Sequence, residues 1–506
     1  MANHQDEQFI HVDPRTAAEM RRRGTDPREM EQSTQVILRY LRASLPATPL
    51  SAAARLSALP GPDPSGVDHL SALPFSLLRD IVSRLLPGTP PAPPRSPAAG
   101  APVPEGRRHP TRADTPALYA AVSRVLAAHP GPFRAVHLVC GFMDARQGQL
   151  ARWARRLADK GVRELVLVNR PWPLDVPLPA ALLDAATLTR LYLGVWKFPD
   201  TSALPRRAAP PFPHLRELVL CCVDIENRDV DSLLAGCPLL ETFGMLGNRN
   251  DGMRLCLAGQ RLRCVQICMS VLGGVAVVDA PSLERLFVRE CFTHDGSCIR
   301  VRIGNAPKLR LLGHLRPGVD MLEIRNTVFI NAGIRVSPSA MAPSVKILGL
   351  NVRFGARNDA KMVPAFLRCF PSVETLHIVS EETKGVTGNP NLNFWREAGL
   401  IECIWYCIKD MTFREFRGEQ SESTFLKFVF ESAQVLRNVT IVGSGGVFAS
   451  IPEVISKVQN LQPESWGNNC AVMLHRSSGP DGGPVWSFQK GLDFSVADPF
   501  AYEMKF

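Results

Sequence analysis

The chain has 506 residues, of which 45% are hydrophobic, so most of its length can bury an apolar core. Its net charge of +10 comes from 58 basic and 48 acidic residues that are spread along the sequence. Because no basic stripe is interleaved with aromatic residues, we expect no nucleic-acid partner. No run of 18 or more apolar residues and no N-terminal apolar stretch occurs, so we expect neither a membrane span nor a signal peptide.

The residue types that carry metal or catalytic chemistry do not form a recognisable motif. Two cysteine pairs, Cys264 with Cys268 and Cys403 with Cys407, are four residues apart, which is not the spacing of a zinc pair. The nucleophile-elbow, Walker A and His-Glu-x-x-His motifs are absent as well. We therefore predict no metal, no cofactor and no enzymatic activity. We interpret the 13 cysteines as buried, reduced thiols. Reduced thiols predict that the protein is located in the cytoplasm or the nucleus.

The first 112 residues divide into three segments by composition. Residues 1–66 are polar and then rich in Pro and Ala, which predicts disorder. Residues 67–87 contain a short amphipathic helix that begins at Pro74 and presents Leu77, Ile81 and Leu85 on one face. A helix of this length needs a partner surface to be stable. One alternative is that this helix caps the domain that follows it in the chain. Residues 88–112 are rich in Pro and Ala and predict a semi-rigid linker.

Residues 113–391 repeat one short apolar pattern, of which Leu283-x-x-Leu286-x-Val288 is the clearest copy. Successive copies begin 21 to 29 residues apart, with one longer step of 36, and this is close to the period of leucine-rich repeats. Several copies carry Pro two residues before the first apolar position, where it ends the preceding element. The copies begin at Phe133, Val162, Leu188, Leu215, Leu240, Leu262, Leu283, Leu309, Val345 and Val373.

This period predicts an α/β leucine-rich-repeat solenoid, with a curved parallel sheet and with helices outside it. Ordinary α/β alternation with buried parallel strands is the alternative. In the solenoid, strand positions such as Leu165 and Leu286 point into the core, and the residues between them lie on the concave face, where partners bind. A flanking segment that covers this face is the other possibility. The predicted partner-binding residues are Val166, Tyr192, Val219, Gln266, Phe287 and His377.

The last part of the chain contains a second pattern. Residues 392–455 predict a strand at Cys407–Gly418, a helix at Glu422–Ala433 and a strand at Leu436–Val442. Residues 456–506 form a tail that is rich in Gly, Pro and Ser near Ser477, and we expect it to be loosely held.

Three segments resemble one plant protein family. The sequence Leu-Ser-Ala-Leu-Pro-x-x-Leu-Leu-x-x-Ile, which begins at Leu70, resembles the opening of an F-box. Cys237–Phe243 is similar to the repeats of grass F-box proteins, and Phe416-Arg-Gly with Val435–Ile441 resembles the FBD domain. The chain thus resembles plant F-box/leucine-rich-repeat proteins with a C-terminal FBD domain. In this chain the F-box is truncated.

The resemblance implies a substrate-recognition subunit of an SCF-type cullin–RING ubiquitin ligase. Such a subunit binds a protein target, here an unknown one, through its repeats, and it has no catalytic role. A Skp-type adaptor and a cullin would be its partners. The alternative is a repeat protein without ligase coupling, because the sequence after Gly88 lacks the later F-box helices. The residues that would contact the adaptor are Leu70, Leu73, Pro74, Leu77, Leu78 and Ile81.

Overall fold

The computed structural model describes residues 14–24, 26–28, 115–129, 132–141, 143–169, 175–203, 211–250, 252–295, 298–325, 327–329, 341–383, 390–461, 470–477 and 487–501. The chain divides into two compact units, Met1–Ile225 and Glu226–Phe506, which we call the N-terminal and C-terminal units. The predicted F-box segment, residues 67–87, and the linker, residues 88–112, lie outside the described residues. Among the helices that the structure does describe, none combines the length and apolar character required to cross a bilayer.

The N-terminal unit contains a parallel sheet built from the first repeats. Neighbouring strands pair in register, so that Leu165, Leu191 and Leu218 lie side by side. All three side chains are at most 1% exposed, as predicted for core positions of the solenoid. One helix occurs in the segment for which we expected disorder, residues 1–66. The elements are α1 Pro14–Arg22, α2 Thr115–Ala128, β1 Ala135–Cys140, α3 Gln147–Asp159, β2 Glu164–Asn169, β3 Arg190–Gly194 and β4 Glu217–Cys221.

The C-terminal unit contains the remaining repeats and the predicted strand–helix–strand block. Its helices are α4 Asn227–Ala235, α5 Arg357–Arg368, α6 Leu392–Glu397, α7 Gln420–Ser432, α8 Ile451–Val458 and α9 Phe488–Leu492. Its first strands are β5 Thr242–Leu246, β6 Arg254–Ala258, β7 Cys264–Cys268, β8 Gly274–Asp279, β9 Arg285–Arg289 and β10 Arg300–Asn305. The later ones are β11 Leu311–Leu315, β12 Met321–Ile324, β13 Thr327–Phe329, β14 Ile347–Val352, β15 Thr375–Ser380, β16 Asp410–Phe416, β17 Asn438–Gly443 and β18 Ala471–Arg476.

The main sheet of this unit is parallel and has the order β5-β7-β9-β11-β14-β15-β16-β17-β18. Its register places Leu286 between Val265 and Leu312, and all three side chains are fully buried. Leu348 pairs with Leu376 farther along the sheet and is equally buried. The solenoid prediction is therefore confirmed, with the apolar repeat positions on the core side of one continuous parallel sheet.

A second sheet, β13-β12-β10-β8-β6, takes the place of the outer helices in the middle repeats. In β6, Leu255 and Leu257 are buried whereas Arg254 and Cys256 are exposed, so one face of the strand is apolar. This alternation has the period of a strand and not that of a helix. Two of the repeats concerned are the shortest, with steps of 22 residues from Leu240 and 21 from Leu262, but β10 lies in a step of 26 residues and β12 and β13 lie in the longest step, of 36. The alternation of apolar residues, and not the length of the repeat, therefore marks the strands that replace the helices we expected outside the sheet.

The block that resembles an FBD domain continues the main sheet. Strand β16, helix α7 and strand β17 are the predicted strand, helix and strand, and β16 pairs in parallel with the repeat strand β15. The chain then adds β18 beside β17. Part of the tail that we expected to be loosely held is therefore an ordered strand of the sheet.

Glu422 joins the beginning of helix α7 to the strands around it. Its carboxylate is fully buried and accepts a hydrogen bond of 2.6 Å from the hydroxyl of Ser380 on β15. The backbone N–H groups of Arg417 and Glu419 also donate to it, at 2.9 and 3.0 Å. Burial raises the pKa of Glu422 to about 7, although these three hydrogen bonds favour the charged form.

The raised pKa of Glu422 predicts a stability that depends on pH. Between the ordinary value of 4.5 and about 7, the folded chain holds a proton that the unfolded chain releases. The free energy of unfolding should therefore fall as the pH rises through this window, by about 3 kcal/mol from this group. Urea unfolding at about pH 5 and about pH 8 should show this loss in the native chain and much less of it in Glu422→Gln. The exposed Glu382→Gln should behave like the native chain, and an equal loss in all three chains would refute the assignment.

Candidate functional site

The six residues predicted for the partner-binding face are buried. Val166, Tyr192 and Val219 lie in the N-terminal unit, and Gln266, Phe287 and His377 lie in the C-terminal unit. Their exposed fractions are between 0 and 3%. We expected these side chains to be open to a partner, and the structure shows instead that each is covered.

In the N-terminal unit, Tyr192 belongs to a polar cluster at the start of the strands. Its hydroxyl donates a short hydrogen bond to the carboxylate of Glu217, which also forms an ion pair of 3.2 Å with Arg190. Burial is the largest cause that raises the pKa of both Tyr192 and Glu217 above their ordinary values. Tyr192 therefore holds neighbouring strands together through its hydroxyl.

In the C-terminal unit, residues 487–501 pack over the face of the main sheet that carries Gln266, Phe287 and His377. We call these residues the C-terminal segment and this face the binding face. The amide of Gln266 donates to the carbonyl oxygen of Phe488 at 3.1 Å. At Gly491 the two surfaces are so close that a Cβ atom would lie 2.5 Å from Oε1 of Gln266, so a larger residue here would require the amide of Gln266 to move.

Arg285 binds the backbone of the C-terminal segment. Its guanidinium donates to the carbonyl oxygens of Gly491, Asp493 and Val496 at 2.9, 3.0 and 2.7 Å. The ring of Phe494 lies 4.5 Å from the same guanidinium and 3.9 Å from that of Arg263. The same guanidinium also donates to the carbonyl oxygen of Lys490 at 3.4 Å, and these four acceptors on one planar cation define the path of the segment over the sheet.

The end of the C-terminal segment inserts one aromatic ring and one carboxylate into the binding face. The buried ring of Phe500 lies 5.4 Å from the ring of Phe287, 4.5 Å from that of His314 and 5.4 Å from that of His377. The carboxylate of Asp498 lies 2.9 Å from Nε2 of His377. Burial opposes ionisation of Asp498, but the hydrogen bond and the charge of His377 hold its pKa below the ordinary value.

Comparison with known proteins supports the family indicated by the repeats and by the strand–helix–strand block. The family model described as FBD-associated F-box protein At5g56370, LRR repeats, matches residues 150–378. The FBD model matches residues 396–441. The chain thus contains FBD-associated leucine-rich repeats followed by an FBD domain.

A curated relative of this family is the F-box/FBD/LRR-repeat protein At1g13570 of Arabidopsis thaliana. The two sequences are 30% identical over 124 residues, which are 24% of this chain and 28% of the relative. The chain thus aligns with less than a third of the relative's length. Both family models begin after residue 149, so neither tests the resemblance of residues 67–87 to an F-box.

The other predicted site residues of this FBD-associated protein lie outside the described residues. They are the six proposed adaptor contacts, Leu70, Leu73, Pro74, Leu77, Leu78 and Ile81. Sequence reasoning in turn missed Arg285, Asp498 and Phe500. Arg285 directly precedes the core residue Leu286 on β9. Because alternate residues of a strand share a face, the sequence could have placed Arg285 beside Phe287 on the predicted partner-binding face.

In the part of the chain that the structure describes, the titratable side chains also bear on the presence of a metal or reactive-thiol site. Within the described ranges, no group of three or more His, Cys, Asp or Glu side chains is placed to hold a metal ion. The described cysteines are all free, and most of them are buried, as expected for reduced thiols. Burial raises the pKa of thiols such as Cys237 and Cys369 to about 12. These cysteines pack as small apolar side chains.

Proposed function

We propose that this protein is a substrate-recognition subunit of an SCF-type cullin–RING ubiquitin ligase. It has no catalytic role and binds a protein target through its repeats. The observation that carries the proposal is the binding face, where a fixed guanidinium and an aromatic pocket hold a stretch of polypeptide. The name of the Arabidopsis relative, an F-box/FBD/LRR-repeat protein, supports the coupling to a ligase.

In this proposal, residues 67–87 dock on a Skp-type adaptor, which links the protein to a cullin. The contacts come from the six residues that match the opening of an F-box. We place the protein in the cytoplasm or the nucleus, since its described cysteines are free thiols.

A second candidate function is a repeat-containing binding protein without a ligase. The observation that favours it is the composition of residues 88–112, where prolines stand in place of the later F-box helices. In that case the binding face captures a target, but the adaptor does not bind.

Titration of purified Skp-type adaptor separates the two functions. A single short helix gains about 1.5 to 3 kcal/mol for each buried apolar side chain, whereas association costs about 4 to 15 kcal/mol. We therefore expect weak binding by the native chain. Insertion of the missing helices between Gly88 and Ala113 should strengthen it more than about tenfold, by enlarging the apolar contact.

The control is Leu77→Asp with Ile81→Asp, which places two charges on the apolar face of the helix that the sequence predicts. This variant should abolish binding by the native chain. No adaptor binding by the native chain at any concentration would support the second candidate. Tight binding by the native chain would show that the later helices are not needed.

A further inference from the structure

We propose that the binding face is a peptide-recognition groove whose C-terminal segment is a built-in competitor, which a partner protein displaces with a segment of the same chemistry. The partner segment carries a short glycine-containing helix, like α9, followed by an acidic residue two positions before a phenylalanine. This inference extends the target-binding half of the proposed function and does not depend on the ligase.

The binding face is built to hold polypeptide rather than to pack in an apolar core. Gln266, Arg285 and His377 are at most 6% exposed, and all three make polar contacts to the C-terminal segment. A surface that served only to bury its own chain would be more stable with apolar side chains, because buried polar groups need partners. Polar groups on an otherwise apolar surface are typical of sites that orient a ligand.

Arg285 makes its contacts to backbone carbonyl oxygens, which every polypeptide offers. The donors at 2.7 to 3.0 Å therefore fix the path of a bound chain without restricting its sequence. Sequence selection comes from three other positions. A side chain at Gly491 would displace the amide of Gln266, His377 pairs with Asp498, and the ring of Phe500 packs against that of Phe287.

The C-terminal segment does not satisfy the whole binding face. Among the described residues, neither Oε1 of Gln266 nor Nδ1 of His377 has a hydrogen-bond partner, and both atoms are buried. A buried polar atom without a partner costs free energy in the folded state. A partner segment that supplies these two hydrogen bonds would compete with the built-in segment, although the latter has the advantage of being tethered.

The test uses the full chain with the recognition sequence of a specific protease inserted between Gly482 and Gly483, in the Gly- and Pro-rich stretch before the C-terminal segment. The chain is folded, cut and diluted to a nanomolar concentration. The probe is a fluorescent peptide with the sequence of residues 487–501, and anisotropy measures its binding. We expect the cut chain to bind the probe at least about tenfold more tightly than the uncut chain, because a tethered competitor acts at a high effective concentration.

Two variants and two controls define the specificity. A probe with Asp498→Asn and Phe500→Ala should bind at least about tenfold more weakly, and His377→Ala in the cut chain should cause a similar loss. The exposed His294→Ala should leave binding unchanged. The uncut chain that carries Asp498→Asn with Phe500→Ala should bind the unmodified probe more tightly than the uncut native chain does.

Two results would overturn the proposal. In the first, the cut chain keeps its own segment and takes up no probe over a day. In the second, cutting abolishes the thermal unfolding transition. Either would make residues 487–501 a permanent part of the fold. The adaptor titration depends on residues 67–87, so failure here leaves that test of the proposed function untouched.

Discussion

Leu286→Asp should cost at least about 4 kcal/mol of the free energy of unfolding. The side chain of Leu286 is fully buried on β9, between Val265 of β7 and Leu312 of β11. A carboxylate placed between these apolar side chains would lose its water without gaining a hydrogen bond from either of them. Guanidinium unfolding followed by circular dichroism would show either a large shift of the midpoint or a chain that does not fold.

Leu286→Val is the matched control for this prediction. It keeps the apolar character and removes one methylene, so we expect a loss of about 1 kcal/mol. If Leu286→Asp unfolded at the same denaturant concentration as Leu286→Val, the side chain could not point into the core, and the register of the sheet would be wrong.

Arg285→Ala, one residue earlier, should release the C-terminal segment and leave the sheet folded. Successive residues of a strand point to opposite faces, so Arg285 lies on the binding face and Leu286 in the core. The substitution removes the donor to four carbonyl oxygens, and hydrogen bonds from a charged group contribute about 1.5 to 3 kcal/mol each. Because these contributions are not additive, we expect the docking of the segment to weaken by about 4 kcal/mol in total.

Hydrogen–deuterium exchange measures this release directly. The amide groups of Gly491, Val496 and Ala501 donate backbone hydrogen bonds within the segment, and they should lose protection in Arg285→Ala. Amides of β9 and β11 should keep theirs. Arg302→Ala on β10, which removes an ion pair of 3.3 Å with Glu323 in the second sheet, should leave the segment protected. Equal protection of the segment in Arg285→Ala and in the native chain would show that Arg285 does not hold it.

The sequence predicts the main sheet well because the relevant signals are local. The spacing of Leu283, Leu286 and Val288, with Pro281 before them, defines a strand and its buried side within one short stretch. The second sheet was predictable in principle, since Val301 and Ile303 of β10 alternate with Arg300 and Arg302. We expected helices there because most solenoids of this class carry helices on the outside, and this period of two residues was the signal that we did not use.

The site was predictable only in part, because its two halves are far apart in the chain. Strand alternation correctly places Gln266, Phe287 and His377 on one face. Nothing in the sequence near these residues indicates what covers them, since Gln266 and Phe488 are separated by 222 positions. The C-terminal segment also has no periodic pattern, so its contacts with the binding face become visible only in the folded structure.

The continuous pairing of β15 with β16 means that the boundary between the repeats and the FBD block is not a boundary for folding. A protein cut near residue 391 would leave the backbone N–H and C=O groups of β15 unpaired along an open edge. An isolated FBD block would expose the matching edge of β16. Open edges of this kind recruit other chains and cause aggregation. The FBD block is thus a unit of sequence that can be recognised alone, whereas its stability depends on the repeats that precede it.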